Sequence, residues 1–499
     1  MPDNTIDRLV RARSAAYRDK PAVIDPATST SYGELDASSR DLAAAFIEAG
    51  IGVGTRVGLI MPNNVDWVRI AVAVTRIGAV LVPLSTLLRG PELVAQLRVA
   101  GVQHLITVDE FRGHRYVDEL HAEEAALPEL RRIWRATELL AGADTGSVDA
   151  MAGMVTPADT LAIMFTSGSS GPPKGVIHSH GGALGAVAAG LRARCVDTDT
   201  RLYLPMPFFW VGGFGSGILS ALSAGATLVT EEVPRPDTTL QLLRRERVTL
   251  FRGWPDQAEA IARHADSVKA PLPALHQGSL PALLPEAQRP APGARARLFG
   301  MTEAFGPYCG YPADTDLPAD KWGSCGKPFA GIEVRIADTD TATGAPLPAG
   351  EVGMIQLRGS HLMRGICGRT NEDVFTTDGY YPTGDLGHLD ADGFMFYHGR
   401  CDNMFKVNGA TVYPSEVEQA LRTIAGVDVA AVTDVAGAVG AAVVTRSLTV
   451  DQLRAAARNR LSSFKVPTVW RVLASDDALP RGSTGKIDVA ALRELLAQS

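Results

Sequence analysis

The chain has little of what marks a secreted, metal-scaffolded or nucleic-acid-binding protein. Five cysteines, Cys195, Cys309, Cys325, Cys367 and Cys401, are scattered through 499 residues with no CxxC pair. This spacing suggests neither a zinc site nor a disulfide framework, and the odd count suits a reducing cytoplasm. Basic residues are not in excess. There are 48 Lys and Arg against 55 Asp and Glu, a net charge of −7, so nucleic acid and anionic membranes are not expected partners. No apolar run reaches the ~18 residues of a membrane helix. The segment Met1-Pro-Asp-Asn-Thr5 lacks the basic and apolar regions of a signal peptide. No internal repeat or low-complexity tract is present. What remains is the composition of a globular enzyme, 46% apolar and 21% charged. Its length exceeds what one hydrophobic core normally serves, so at least two domains are expected.

Against these absences one stretch stands out, Phe165-Thr-Ser-Gly-Ser-Ser-Gly-Pro-Pro-Lys-Gly175. The small residues Ser167, Gly168, Ser169, Ser170 and Gly171 let backbone approach a phosphate closely. Thr166 and the serines add hydroxyl donors, and Lys174 adds a positive charge. Leu161–Phe165 and Val176–Ile177 read as flanking strands. A Gly/Ser loop between strands, ending in Lys, reads as a polyphosphate cradle. A Walker A loop is absent, because Pro172 and Pro173 stand where its helix would begin. A flexible surface loop is the alternative for such a run taken alone.

The N-terminal third alternates helical and strand patterns. Tyr32–Phe46 reads as a helix stopped near Gly50, Val57–Met61 as a strand, Trp67–Ile77 as a helix, and Gly78–Pro83 as a buried strand. Such alternation predicts an α/β fold with parallel sheets covered by helices. The clearest boundary is at Gly399-Arg-Cys-Asp-Asn403, after the turn-rich Leu389–Gly393. About a hundred residues follow. There Ser415 with Glu418 reads as a capping box, Val429–Val432 and Ala441–Thr445 read as strands, and Thr449 with Gln452 caps a helix ending near Phe464–Pro467. This predicts a large N-terminal domain, 1–400, and a small α+β lid, 401–499.

The order T-S-G-S-S-G-x-P-K-G resembles the signature loop of the adenylate-forming superfamily, which includes acyl-CoA synthetases, luciferases and peptide-synthetase adenylation domains. Companion motifs run from near Tyr32 to Lys486, so the resemblance covers almost the whole chain. It implies an ATP- and Mg²⁺-dependent carboxylic acid–CoA ligase working through an acyl-adenylate. Leu298-Phe-Gly-Met-Thr-Glu303 is similar to the family's aromatic-Gly-x-Thr-Glu motif. By that match Phe299, Gly300 and Met301 border the adenine, Thr302 binds the α-phosphate, and Glu303 helps hold Mg²⁺, which prefers one or two carboxylates plus phosphate oxygens. Asp385 in Tyr381-Pro-Thr-Gly-Asp385 and Arg400 match ribose-binding positions. Asp402 matches the hinge about which the small domain turns. Asn408 and Gly409 match the wall of the CoA tunnel. Lys486, in Leu479-Pro-Arg-Gly-Ser-Thr-Gly-Lys486, matches the lysine that bridges carboxylate and α-phosphate. His178 and His180, read as alternating on a strand, are expected to be structural.

Three departures from the family pattern bear on specificity. Trp210, in Pro207-Phe-Phe-Trp-Val-Gly-Gly213, stands where many relatives carry a histidine that lines the acyl pocket. With Phe209 it reads as pocket wall or gate, and a buried core role stays open. The segment also lacks the Phe-Asp pair of α-amino-acid activators, so the acid is fatty, aryl or another non-amino acid. His276-Gln-Gly-Ser-Leu280 replaces a Gly-Gly-Ala-Pro-like stretch, and only Gly278 and Ser279 fit its pocket role. Thr433–Gly440 is short and lacks the Asp-x-x-x-Gly-Glu loop of many acyl-CoA synthetases. An amine or a carrier-protein thiol therefore stays open as acceptor beside CoA, and a non-catalytic nucleotide-binding protein is the more distant reading.

Overall fold

A computed structural model describes residues 4–88, 90–121, 127–139, 142, 144–166, 173–338, 344–401, 405–407, 410–461, 465–481 and 487–498. Two compact units are present, one of residues 1–333 with 358–379, the other of 334–357 with 380–499.

The first unit is α/β, as the alternating pattern predicts. Its seven-stranded sheet has the order Gly365–Ile366, Lys174–Ser179, Thr160–Thr166, Val80–Pro83, Arg56–Ile60, His104–Thr107, Arg132–Arg135. The five strands from Thr160–Thr166 onward are parallel. The Lys174–Ser179 strand instead turns back antiparallel, with Thr166 opposite Lys174 and Phe165 opposite Gly175. A second sheet, Leu250–Phe251, Arg201–Tyr203, Thr227–Val229, Pro21–Ile24, Ser29–Ser31, is parallel except for its last strand.

Local signals explain the helices over these sheets. Ser31 and Glu34 form a capping box at the start of Tyr32–Glu48. The Asn64 side chain accepts from the Trp67 N–H at 2.9 Å and starts Val65–Arg76. That helix buries Trp67 completely, with Phe208 and Phe214 at centroid distances of 5.3 and 5.8 Å. Removing a ring packed this way costs about 3–5 kcal/mol. Arg76, also fully buried, is held by Asp7 at 2.7 Å and Asp36 at 2.8 Å, so its charge is paired rather than stranded.

The second unit is built on a four-stranded sheet, Glu333–Ala337, Gly353–Arg358, Tyr381–Leu389, Met395–Arg400, whose last three strands are antiparallel, and a three-stranded one, Val429–Val435, Ala438–Val444, Val469–Leu473. Here the sequence reading needs two corrections. The helix Pro414–Arg422 has Tyr413 as its N-cap and no side-chain cap. Proline occupies the first helical position, where its missing N–H is harmless. Ser415 therefore lies inside the helix and donates to the His398 carbonyl, while Glu418 accepts from the Val432 N–H at 3.0 Å. The Thr449–Gln452 box is present, but its helix stops at Arg458 rather than near Phe464–Pro467. No helix among the described residues is long and apolar enough to cross a membrane.

Candidate active site

The Thr160–Thr166 and Lys174–Ser179 strands form a hairpin whose connecting loop begins after Thr166 and ends before Lys174. Ser167, Gly168, Ser169, Ser170 and Gly171 lie outside the described residues, so the structure gives the loop's two anchors. Thr166 and Lys174 are both half-buried and paired across the hairpin.

Next to this hairpin sits the second motif. Phe299–Met301 is a short strand paired antiparallel with Gly306–Gly310, and Thr302–Ala304 is a 3₁₀ turn between them. Gly300 makes this turn possible, because a Cβ there would overlap the Gly306 carbonyl. Phe305 closes the turn in the left-handed region, φ 54°. Its ring packs edge-on to His178 of the hairpin, 4.9 Å between centroids, and to Phe214 at 6.0 Å. The His178 ring also lies near the Thr302 backbone, while its Nε2 has no hydrogen-bond partner among the described residues. Glu303 is 7% exposed, and its carbonyl accepts from the Met363 N–H at 2.8 Å. Phe299 is half-buried with its ring edge-on to Tyr308 at 5.6 Å. Two motifs far apart in sequence thus meet through one imidazole.

His178 was read as structural and is so placed. Burial pushes its imidazole down to about 3, opposed only by the nearby Thr302 backbone. His180 does not alternate with it on the strand. It opens the helix His180–Arg194, accepts from the Ile6 N–H at 3.3 Å, and is pushed by burial down to about 4, with Asp159 opposing. Both rings are neutral near pH 7 and unsuited to acid–base work there.

Asp385 and Arg400 belong to the second unit and face each other in the antiparallel pair of Tyr381–Leu389 with Met395–Arg400. Arg400 Nη1 lies 3.4 Å from Asp385 Oδ1 and donates to the Thr383 carbonyl at 3.0 Å. The Thr383 hydroxyl accepts from the Asp385 N–H at 3.0 Å. Gly384, between them, takes φ +75°, a conformation that side chains rarely adopt. Asp385 is buried, whereas the Arg400 side chain is 41% exposed. A fixed carboxylate beside a half-exposed guanidinium suits a diol.

Phe209 is buried and Trp210 half-buried, at the start of a short helix that passes into a π-helix over Phe214–Leu219. Such π segments recur at functional sites. Trp210 packs edge-on to Trp254 at 6.1 Å, a partner that the sequence reading missed. Its one signal is position, as the residue before Pro255 at a helix start. Trp254 follows the Leu250–Phe251 strand, and the Ser279 hydroxyl accepts from the Phe251 N–H at 3.1 Å. Trp210 and Ser279 therefore attach to the same strand end. Gly278 is buried, with its N–H donated to His276 Nδ1 at 3.0 Å. Asp402, Asn408, Gly409 and Lys486 lie outside the described residues.

The family model of the AMP-binding enzymes matches residues 10–367. A methyl-dioxo-octahydroindenyl-propanoyl:CoA ligase of Mycobacterium tuberculosis is 32% identical over 98% of each chain. A feruloyl-CoA synthase of an Amycolatopsis species is 32% identical over 96% of each. Among solved structures, an anthranilate CoA ligase in complex with anthranoyl-AMP superposes with a TM-score of 0.83 at 22% identity, covering 99% of this chain and 97% of that one. This likeness shows the shared fold.

Proposed function

This chain belongs to the AMP-binding enzyme family, and on that premise we propose that it is an ATP-dependent carboxylic acid–CoA ligase, AMP-forming, acting on a bulky aryl or alicyclic acid. The observation that carries the reading is the Thr302–Glu303 turn packed against the phosphate-loop hairpin through the ring contact of Phe305 with His178. The acid's class rests on two supports. One is the aromatic set Phe209, Trp210 and Trp254. The other is the cyclic acids named for the two relatives.

In the first half-reaction the carboxylate oxygen attacks the α-phosphorus of ATP and pyrophosphate leaves. Both reactants are anions, so the chain must offset repulsion and fix geometry. Lys174 and the hydroxyls of Thr166, Ser167, Ser169 and Ser170 take the phosphates, Thr302 the α-phosphate, and Lys486 bridges it to the carboxylate. Phe299, Gly300 and Met301 border the adenine. Asp385 accepts from the ribose hydroxyls, with Arg400 beside it. In the second half-reaction the thiol attacks the acyl carbon and AMP leaves. Asn408 and Gly409 would flank the pantetheine arm.

Glu303 would hold Mg²⁺. A buried carboxylate beside a threonine hydroxyl suits an ion that takes one or two carboxylates and completes its shell with phosphate oxygens and water. When bound, that ion offsets charge on the phosphates. Functionally we place the division between domains at 400/401, with Asp402 as pivot. This concerns motion and is separate from the contact-based units.

A second reading is favoured by the Val429–Val435 and Ala438–Val444 hairpin. It closes through Ala436 and Gly437, both at positive φ, where many relatives carry a longer loop. The acceptor would then be an amine or a carrier-protein thiol. The test is pyrophosphate release across a panel of cinnamic, benzoic, alicyclic and fatty acids, with and without CoA, with products identified by mass spectrometry. Release with acyl-CoA formed supports the ligase. Acyl-adenylate that accumulates with CoA and yields amide on adding an amine supports the second reading. No release with any acid removes both.

A further inference from the structure

We propose that Cys195, His276 and Asp314 form a binding site for a divalent cation of zinc type, with one coordination position open to solvent. One ligand atom from each residue lies within 4.8 Å of the other two. Thiol, imidazole and carboxylate together are the donor set that zinc accepts, at roughly 2.0–2.3 Å per bond. Closing to that geometry needs about an ångström of movement. The exposed His276 side chain can supply it by giving up one contact, the Gly278 N–H on its Nδ1 at 3.0 Å, while its backbone N–H stays on the Thr249 carbonyl at 2.6 Å.

The scaffold is fixed on the other two sides. Cys195 caps the helix His180–Arg194 in the left-handed conformation, φ 56° and ψ 39°, with its N–H on the Arg192 carbonyl. The Ala313 N–H bonds the Ala193 carbonyl at 3.1 Å and ties the Asp314 segment to the same helix end. His276 Nδ1 presents a lone pair, now accepting from the Gly278 N–H, and Nε2 lies 3.8 Å from Asp314 Oδ2. A side chain at Gly278 would crowd both Cys195 Sγ and His276 Nδ1.

Burial, with the Asp314 charge second, pushes the Cys195 thiol up, so an incoming metal must displace its proton to bind the thiolate; the Arg252 charge and the backbone amides of Asp314 and Ala313 oppose that shift. Arg252 is half-buried and is coupled electrostatically to Cys195 and Asp314. Among the described residues its buried Nε has no hydrogen-bond partner, and its one side-chain hydrogen bond goes to the Arg194 carbonyl at 3.0 Å. Arg192 lies 3.4 Å from Asp314, on the exposed side. One thiolate and one carboxylate cancel the dication, so the loaded site carries no net charge for Arg252 to oppose. Binding displaces the thiol proton to solvent, so affinity rises with pH. The bound ion would clamp the 276–279 segment to the end of the helix. None of this depends on the reaction proposed above.

The test uses the untagged full chain, with CoCl₂ as spectroscopic probe and ZnCl₂ as competitor. One equivalent of Co²⁺ should give a thiolate-to-cobalt charge-transfer band with tetrahedral ligand-field bands, and Zn²⁺ should displace it. Cys195→Ser should abolish the charge-transfer band. His276→Gln and Asp314→Asn should each weaken Zn²⁺ binding at least tenfold, while Cys401→Ser leaves it unchanged. His276 is exposed, so its variant tests the site even if Cys195→Ser folds poorly, with circular dichroism as the check on folding. Absence of the band in the wild type overturns the proposal. So does a band that survives Cys195→Ser, or unchanged zinc affinity in His276→Gln.

Discussion

Lowering the pH from 7 to 5 should destabilise the first unit by about 4 kcal/mol through His178 and His180 alone. Both imidazoles are pushed down by burial, to about 3 and about 4, from an ordinary 6.5. A folded value below the unfolded one means that stability is intact above about pH 6.5 and lost as pH falls towards the folded value. At pH 5 the unfolded chain has protonated both rings and the folded chain almost neither. One pH unit is worth about 1.4 kcal/mol, which gives about 2 kcal/mol per ring over this interval. The rings are buried, so solvent screening does not reduce the figure. The assay compares urea unfolding of wild type with the double variant His178→Asn, His180→Gln at pH 7 and pH 5. Glutamine keeps an acceptor for the Ile6 N–H. Five of the six tryptophans, Trp67, Trp134, Trp210, Trp254 and Trp322, lie in the first unit, so their fluorescence reports mainly on it. Other titrating groups cancel in the double difference. A difference under about 1 kcal/mol would refute the argument that these rings are held neutral.

Gly300→Ala should lower kcat/KM about a hundredfold at little cost to overall folding, because the Thr302–Glu303 turn is displaced from the hairpin; single-turnover adenylation measures it, and an unchanged rate would remove the turn from the mechanism. Trp210→Gly should raise kcat/KM for bulkier acids relative to smaller ones and leave the KM for ATP unchanged, as a substrate panel will read; loss of folding with an unaltered profile would mark Trp210 as a core residue. Lys486→Ala should slow adenylate formation by about 10²–10³-fold and spare thioester formation from supplied acyl-adenylate; equal loss of both halves would contradict its role. Asp402→Pro should keep pyrophosphate release and lose acyl-CoA, since proline fixes φ near −65°; normal turnover would remove the hinge assignment.

The parts of this molecule that could be read from the sequence are those written in neighbouring residues. The alternation from Tyr32 to Pro83 gave helices and strands close to Tyr32–Glu48, Arg56–Ile60, Val65–Arg76 and Val80–Pro83, because period and caps are local properties. Thr449 with Gln452 was legible for the same reason. Ser415 misled because a proline just before it moves the cap back to Tyr413. Glu418 then served a strand N–H that no local pattern announces. His178 could be judged structural, but its packing on Phe305 depends on a hairpin meeting a turn more than a hundred residues later. Trp254 beneath Trp210, and Cys195 near His276 and Asp314, are meetings of the same kind. The turn residues at 389–393 drew the eye to 400/401. Hydrogen bonding across the four-stranded sheet joins 334–357 to 380–400, a pairing between distant segments that no local pattern announces.

The Lys174–Ser179 strand carries Lys174, Val176 and His178 on one side, two residues apart. A strand has only two sides, so a shift of one residue exchanges them all. Such a slip would turn the ammonium away from the loop and expel the imidazole from beneath Phe305 in a single movement. Thr160–Thr166 holds the strand in register along one edge and Gly365–Ile366 along the other. The cation and the buried ring therefore share one reading frame. An insertion between Thr166 and Lys174 only lengthens a loop, whereas a single-residue insertion or deletion between Lys174 and His178 would uncouple the loop's charge from the turn it serves. Length variation in descendants or designed variants of this chain should collect in the first interval and be missing from the second.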